Sequence, residues 1–182
     1  MRPIDLLRSY GSHPEPTTAA CNRIALLVAG NQPLYPLYLW WIVGGDWPVS
    51  CWTFLSTPLF AGVPAMARRH KLAGRALLPI AGLFNGIVSA KAFGEASGVE
   101  LFLIVCALIT LLAFRDAPRL MIALLGAIAL TALLHGHYGA PLGAFTPEQY
   151  APFRRLNLYS VAALSVFVVW SLLPLWRRMA RR

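Results

Sequence analysis

The chain has 182 residues, of which 58% are hydrophobic and only 13% are charged, and its mean hydropathy is +0.60. Ordinary soluble domains are roughly 45–50% apolar and about 25% charged, and a soluble domain this small could not bury so much apolar surface. The 16 Lys and Arg residues outnumber the 7 Asp and Glu residues, but they punctuate apolar runs instead of forming one basic face, which disfavours nucleic acid as a partner. The composition therefore excludes a soluble globular enzyme and a disordered chain, and it predicts an integral membrane protein.

Residues 1–22 are predicted to form a cytoplasmic N-terminal tail. They contain no continuous apolar stretch of the kind found in a secretory signal peptide. The three cysteines, Cys21, Cys51 and Cys106, are far apart and odd in number. This pattern disfavours both a disulfide framework and a cysteine-based metal site.

Six apolar runs between residues 23 and 176 approach the length of about 20 residues that a helix needs to cross a bilayer core. In chain order they are Ile24–Val43, Trp47–Ala67, Leu72–Phe93, Ser97–Phe114, Arg119–His135 and Leu156–Trp176. Arg75 lies near the end of the third run, from which its long side chain could reach the lipid headgroups. Residues 177–182 follow as a basic cytoplasmic end. The predicted fold is an all-α integral membrane protein with a bundle of six transmembrane helices.

The basic residues predict the orientation of this bundle. Thirteen of the 16 fall on one side of the six predicted helices, the side that carries both chain ends: Arg2, Arg8, Arg23, Arg68, Arg69, Lys71, Arg75, Arg115, Arg119, Arg177, Arg178, Arg181 and Arg182. Lys and Arg accumulate on the cytoplasmic side of membrane proteins. The sequence thus predicts an N-in, C-in, multi-pass protein of the inner (plasma) membrane, with the lipid bilayer as its first partner.

Acidic residues and two histidines accumulate on the predicted external side. Asp46, Glu95, Glu100, His135 and His137 all map there. Carboxylate oxygen and imidazole nitrogen suit a cation, a metal or an amine. Two other interpretations stay open, namely ordinary polar loops and a pH response by the histidines. Because His-x-His without further partners is a weak metal signal, no metal and no cofactor is predicted.

Two amides interrupt the first apolar run. Asn31 and Gln32 are costly in hydrocarbon unless they find partners or water. One interpretation is a polar ligand pocket inside the bundle. The other is hydrogen bonding between helices, with Asn31 or Gln32 bonded to Asn85 or Asn157. A GxxxG motif at residues 82–86 is expected to support internal helix packing more than dimerisation.

Catalytic motifs are absent from the sequence: it has no GxSxG, no HExxH, no Walker loop and no DDxxD repeat. The chain is therefore predicted not to be an enzyme.

Several short motifs carry a family resemblance. They are Asn31-Gln32-Pro33-Leu34-Tyr35, Gly98-Val99-Glu100-Leu101-Phe102, His135 at the end of the fifth helix and Arg155-Leu156-Asn157-Leu158-Tyr159. With the six-helix plan, the chain resembles the membrane-anchor sensor domains of bacterial adenylate cyclases, diguanylate cyclases and histidine kinases. The resemblance implies a receptor-like domain that sets the geometry of a cytoplasmic output dimer. No output domain follows Arg182, so it further implies either a piece of a longer receptor or signalling through a partner.

The leading functional hypothesis is a non-enzymatic sensory or ligand-binding membrane domain, acting as a homodimer or within a larger membrane complex. Its ligand would be a small cationic or lipid-like molecule. Two alternatives remain open. One is a small transporter or channel subunit, suggested by the proline-broken first helix. The other is a structural or assembly subunit of a membrane complex.

Overall fold

A computed structural model describes residues 3–179, with side chains described over residues 4–175. Within that range the protein is helical and contains no strand. Its α-helices are α1 (Pro3–Gly11), α2 (Pro16–Asn31), α3 (Tyr35–Tyr38), α4 (Thr57–Arg69), α5 (Lys71–Phe93), α6 (Phe102–Ala113), α7 (Pro118–Ala132) and α8 (Pro147–Met179). A 3₁₀ helix, Trp47–Ser56, leads directly into α4.

Three helical segments are long and apolar enough to cross a membrane. They are Trp47–Arg69, Lys71–Phe93 and Pro147–Leu175. Val99–Ala113 and Pro118–Ala132 are apolar but shorter. The all-helical, membrane-type fold is thus confirmed, whereas the count of six spans and the N-in, C-in orientation stay predictions.

The predicted tail contains helical structure. Helix α1 lies entirely within residues 1–22, and α2 begins at Pro16 instead of Ile24. The Glu15 carboxylate accepts a hydrogen bond from the Thr18 amide at 2.9 Å, and Pro16 occupies the first helical position, where no backbone donor is needed. Capping chemistry, which a search for apolar runs does not register, accounts for the earlier start.

Helix α2 does not continue regularly towards the next turn. After Asn31 the chain passes through a 3₁₀ turn, the short α3 and a π-helical turn at Leu39–Val43. Pro33 and Pro36 lack the amide hydrogens that a continuous α-helix would use here. The predicted proline break is therefore present, and it places Gln32 where the helix changes form.

Helix α5 lies against several other helices and packs closely against α6 at Gly82. A Cβ added to Gly82 would lie 2.6 Å from the Cys106 sulfur on α6, whereas one added to Gly86 would meet nothing within 4 Å. The first glycine of the GxxxG motif therefore permits internal packing. The second adjoins open space.

The outer surface of the bundle is strongly apolar. Trp41, Val166 and Trp170 are 82%, 70% and 75% exposed, respectively. Large exposed apolar patches are rare on soluble monomers and are typical of contact with lipid or protein. This surface agrees with the membrane assignment made from composition.

Arg75 lies inside the protein, contrary to the expectation that it reaches the headgroups. Its side chain is 1% exposed. The guanidinium donates to both carboxylate oxygens of Asp116, at 3.2 and 2.7 Å, and to the Ala113 carbonyl oxygen at 2.8 Å. The Asp116 carboxylate pairs with the Arg75 guanidinium and so lowers the free-energy cost of burying its charge. The side chain therefore does not need to extend to the membrane surface.

The loop that joins α7 to α8 closes the end of α5. The backbone amides of Leu142 and Gly143 donate to the Lys91 and Ala92 carbonyl oxygens, each at 2.9 Å. The Lys91 ammonium in turn donates to two carbonyl oxygens of the same loop. These bonds satisfy carbonyls that a helix end leaves unpaired, and they hold the loop over the end of the bundle where the candidate site lies.

Candidate functional site

Three of the predicted site residues converge at the α5–α6 end of the bundle. Glu95 and Glu100 lie in two consecutive 3₁₀ turns between α5 and α6, and His135 lies in the turn after α7. The His135 Nδ1 atom is 2.6 Å from a Glu100 oxygen and 3.7 Å from a Glu95 oxygen. Gly98, at φ +77°, adopts the left-handed conformation that separates the two short turns.

A second contact ties this cluster, Glu95–Glu100–His135, to the turn after α7. The Gly136 amide donates to the other oxygen of Glu95 at 2.5 Å. Glu95 is therefore positioned by the backbone of the same turn that carries His135. The cluster joins two loops that are 35 or more residues apart in sequence.

The electrostatics of the cluster favour positive charge. The pKa of His135 is raised above its ordinary value by the hydrogen bond with Glu100, then by the charge of Glu100, and further by that of Glu95. The pKa of Tyr138 is raised by partial burial and by the negative charge of Glu100. The second oxygen of Glu100 is buried without a hydrogen-bond partner among the described residues. Glu100 Oε1 can therefore accept a further hydrogen bond or bind a cation.

The cluster has ligands suitable for a metal ion or another small cation. One ligand atom each from Glu95, Glu100 and His135 lie within 4.8 Å of one another. Imidazole nitrogen and carboxylate oxygen are common ligands of zinc, and three protein ligands leave a position for water or substrate.

The other two residues that were predicted to be external lie outside this cluster. Asp46 accepts a hydrogen bond from the Ala144 amide at 3.4 Å. The His137 ring bonds to the His135 carbonyl oxygen at 2.9 Å. Asp46 and His137 thus have other hydrogen-bond partners in the loops of this end and are not among the grouped ligand atoms.

A second polar group lies within the bundle, around Gln32. The Gln32 Nε2 atom has two hydrogens and three acceptors within reach: the Thr53 carbonyl oxygen at 3.1 Å, the Ser56 hydroxyl at 2.5 Å and Asn85 Oδ1 at 3.3 Å. The single hydrogen of the Ser56 hydroxyl is shared between Asn85 Oδ1 and the Thr53 carbonyl oxygen, each at 2.8 Å. The bond between Gln32 and Asn85 is the one that the helix–helix interpretation anticipated.

A cavity of about 570 Å³ adjoins this network, bounded by α2, the broken helix that follows it, α5 and α8. Asn31 and Gln32 both line it, together with Asn85 and Gly86. The pocket interpretation and the helix-bonding interpretation therefore describe one place. Gln32 bonds between helices with its nitrogen and borders the cavity.

Sequence reasoning missed several polar contacts. It did not name Ser56, and it considered Asn157 only as a partner of the two amides, whereas Asn157 accepts from the Tyr35 hydroxyl at 2.8 Å and donates to the Ser97 carbonyl oxygen at 2.9 Å. It also did not pair Arg75 with Asp116. The available signal was that each of these polar residues lies beside or within an apolar run, where it must find a partner.

Comparisons with known proteins identify no relative: no family model, no curated protein and no solved structure matches the chain significantly.

Proposed function

We propose that the protein is a non-enzymatic, multi-pass membrane sensory domain that binds a small cation at its external end. The observation that carries this proposal is the convergence of Glu95, Glu100 and His135 from two separate loops. Binding that joins two loops favours one arrangement of the attached helices over another, and only such differential binding can carry a signal.

The proposed topology is six spans with both chain ends in the cytoplasm, in the inner membrane. Its support is the agreement between the helical segments and the predicted apolar runs, together with the basic residues near the other end of the bundle. The connection between α6 and α7 carries Arg115 at that end, and Arg69, the last residue of α4, and Lys71, the first residue of α5, lie on either side of His70 at the same end. Lys and Arg in short loops set orientation.

Helix α7 is the element best suited to carry the signal. It lies between the cluster and the opposite end of the bundle, and its large side chains at Ile122 and Leu130 are 67% and 65% exposed. We propose that this exposed apolar surface of α7 packs against the same surface of a second copy of the chain. The proposed output is therefore a change in the packing of a homodimer, passed to a cytoplasmic module or partner as in the sensor domains that the sequence resembles.

The test is cation binding by the full chain in phosphatidylcholine nanodiscs, with Zn²⁺ and Ca²⁺ titrated separately by calorimetry. Glu100→Gln and Glu95→Gln should each weaken binding at least about tenfold, because a ligand or its charge is lost. Glu148→Gln is the matched control, since it removes an acid of the same end outside the cluster. Unchanged binding by Glu100→Gln, or no binding of either ion by the unaltered protein, would refute the cation site.

Topology is tested independently by cysteine labelling in a variant without native cysteines. A cysteine at Gly139 should react with an impermeant maleimide added to the outside of cells. A cysteine at Arg69 should react only after permeabilisation. The reverse pattern would exclude the proposed orientation.

A small transporter or channel subunit is the second candidate, favoured by one observation. Helix α2 gives way to 3₁₀ and π turns beside Gln32, and discontinuous helices often line transport sites. Ion or solute flux into liposomes containing the purified protein would support this function. Cation binding without flux would support the sensory domain.

A further inference from the structure

The amide of Gln32 has one half bonded and one half without a partner. The side chain is 7% exposed, and Oε1 is buried with no hydrogen-bond partner among the described residues. Nε2 donates to the Thr53 carbonyl oxygen, which can only accept. This bond fixes which end of the amide is the nitrogen. An unpaired buried acceptor lowers the stability of the folded protein, because it has lost its hydrogen bonds to water. We therefore expect Oε1 to accept a hydrogen bond from a donor outside the chain.

Asn85 supplies the complementary group next to it. Its Oδ1 atom accepts from both Gln32 and Ser56. Its Nδ2 atom makes no hydrogen bond to the described part of the chain and is left to donate. Two residues that line the cavity therefore have unused hydrogen-bonding groups, the acceptor Oε1 of Gln32 and the donor Nδ2 of the neighbouring Asn85.

The room beside these two amides is provided by α5 and α8. Gly86 follows Asn85, and a Cβ added there would meet nothing within 4 Å. The cavity of about 570 Å³ lies within the range of about 300–1,000 Å³ that holds drug-sized ligands. Its other walls are largely apolar, with Phe102, Leu164 and Phe167 among them, and no charged side chain of the described residues lines it.

We propose that this cavity binds an uncharged, membrane-soluble alcohol, that is, a molecule with a long apolar body and one hydroxyl group. The hydroxyl donates to Gln32 Oε1 and accepts from Asn85 Nδ2, while the apolar body fills the space between α5 and α8. Oε1 is buried in the wall, and a small rotation about the broad terminal torsion of glutamine turns it towards the ligand. The same rotation moves Nε2, which has three acceptors within 3.3 Å and so keeps a partner. A carboxylate or ammonium ligand is disfavoured, because the cavity offers no countercharge. The site is separate from the external cluster and does not depend on the cation proposal.

Competition photolabelling of the full chain in phosphatidylcholine nanodiscs tests this inference. The probe is hexadecanol carrying a diazirine in its chain, and labelled peptides are mapped by mass spectrometry. Labelling is expected on the α5 and α8 peptides that line the cavity. Unlabelled hexadecanol should displace the probe at about one-tenth of the concentration that hexadecyl methyl ether requires, because the ether accepts a hydrogen bond but cannot donate one to Gln32.

Two variants locate the effect. Gly86→Leu should remove cavity labelling by filling the space, whereas Gly126→Leu on α7, where an added Cβ also meets nothing within 4 Å, should leave it unchanged. Gln32→Leu should remove the preference for alcohol over ether while keeping the labelling. The comparison of alcohol with ether needs no variant, so a misfolded Gln32→Leu protein leaves the test intact.

The inference is overturned if alcohol and ether compete equally with the probe in the unaltered protein, since lipid chains would then fill the cavity without using Gln32. It is equally overturned if Gly86→Leu is labelled as strongly as the unaltered protein. Failure of these tests would leave the cation experiments unaffected. Failure of the cation experiments would likewise leave the photolabelling test of this cavity unaffected.

Discussion

Replacing Asp116 with Asn should destabilise the protein far more than a typical change at a half-exposed position. The carboxylate of Asp116 is 50% exposed, but its partner Arg75 is only 1% exposed. The substitution removes the carboxylate that is hydrogen-bonded to a buried guanidinium, whose Nε already lacks a partner among the described residues. Glu15 remains as a second negative charge near Arg75. The perturbed group is thus a buried cation, although the substituted residue lies at the surface.

The expected magnitude follows from the geometry. Breaking a buried ion pair by removing one partner costs about 3–5 kcal/mol. Water reaches the exposed half of the Asp116 carboxylate and weakens the pair, and the Ala113 carbonyl oxygen, 2.8 Å from Nη1, remains bonded after the substitution. We therefore expect Asp116→Asn to lower the free energy of unfolding by about 2–3 kcal/mol.

The assay is reversible unfolding in mixed micelles of dodecyl maltoside and SDS, followed by circular dichroism. Asp5→Asn, which removes an exposed carboxylate on α1, is the matched control and should change stability by less than about 0.5 kcal/mol. The double variant Arg75→Met with Asp116→Asn should recover much of the loss, because the uncompensated charge is then gone. An Asp116→Asn protein as stable as the control, or a double variant less stable than the single one, would refute the buried-pair reasoning.

Three further predictions use other parts of the bundle. Gly82→Ala should destabilise by about 1–3 kcal/mol by forcing α5 away from α6, and Gly86→Ala should be nearly neutral in the same unfolding assay; equal effects would contradict the packing described for the two glycines. Glu100→Gln should lower the pKa of His135 in an NMR titration. Because that pKa is raised in the folded protein, the stabilisation from protonated His135 is complete below its unfolded pKa and is lost as pH rises through the folded pKa; an unchanged pKa would exclude the pairing. Asn157→Leu should cost about 1–3 kcal/mol by leaving the Ser97 carbonyl oxygen and the Tyr35 hydroxyl unpaired, and a stability equal to that of the unaltered protein would show that water replaces these bonds.

The helical character of the protein could be predicted from the sequence because the length of each apolar run can be counted directly along the chain. Lys71–Phe93 was expected as Leu72–Phe93, with nearly the same bounds. The start of α2 was placed eight residues too late, at Ile24 instead of Pro16. A cap formed by Glu15 depends on a side-chain hydrogen bond, which periodicity and hydropathy do not encode.

The candidate site was predictable only as a list of residues on one side of the bundle. Residues at the same end of several helices share a level along the bundle axis, but their positions around the axis depend on helix packing. The structure brings Glu95, Glu100 and His135 together and gives Asp46 and His137 other hydrogen-bond partners. Which of the residues predicted on this side come together is therefore a property of tertiary structure.

The hydrogen bond between Gln32 and Asn85 likewise could be predicted in part from the sequence, while its details depend on the tertiary structure. That Gln32 needs a partner follows from its position in an apolar run, and Asn85 was a reasonable candidate for it. That Gln32 bonds through its nitrogen, while its oxygen has no partner among the described residues, depends on the packing around the 3₁₀ turn Gln32–Leu34. Backbone irregularity of this kind is suggested by proline but is not specified in detail by it.

The loop between α7 and α8 has a consequence for how much of this chain can vary. Surface loops usually tolerate insertions and are cut readily by proteases. Here Leu142 and Gly143 supply the hydrogens that end α5, so this stretch is part of the helix terminus although it is distant in sequence. An insertion between these residues and α8 would leave the α5 carbonyls paired, whereas one that displaced the two amides would leave those carbonyls without their donors. The part of the loop that can vary in length therefore lies after Gly143, between that residue and the start of α8.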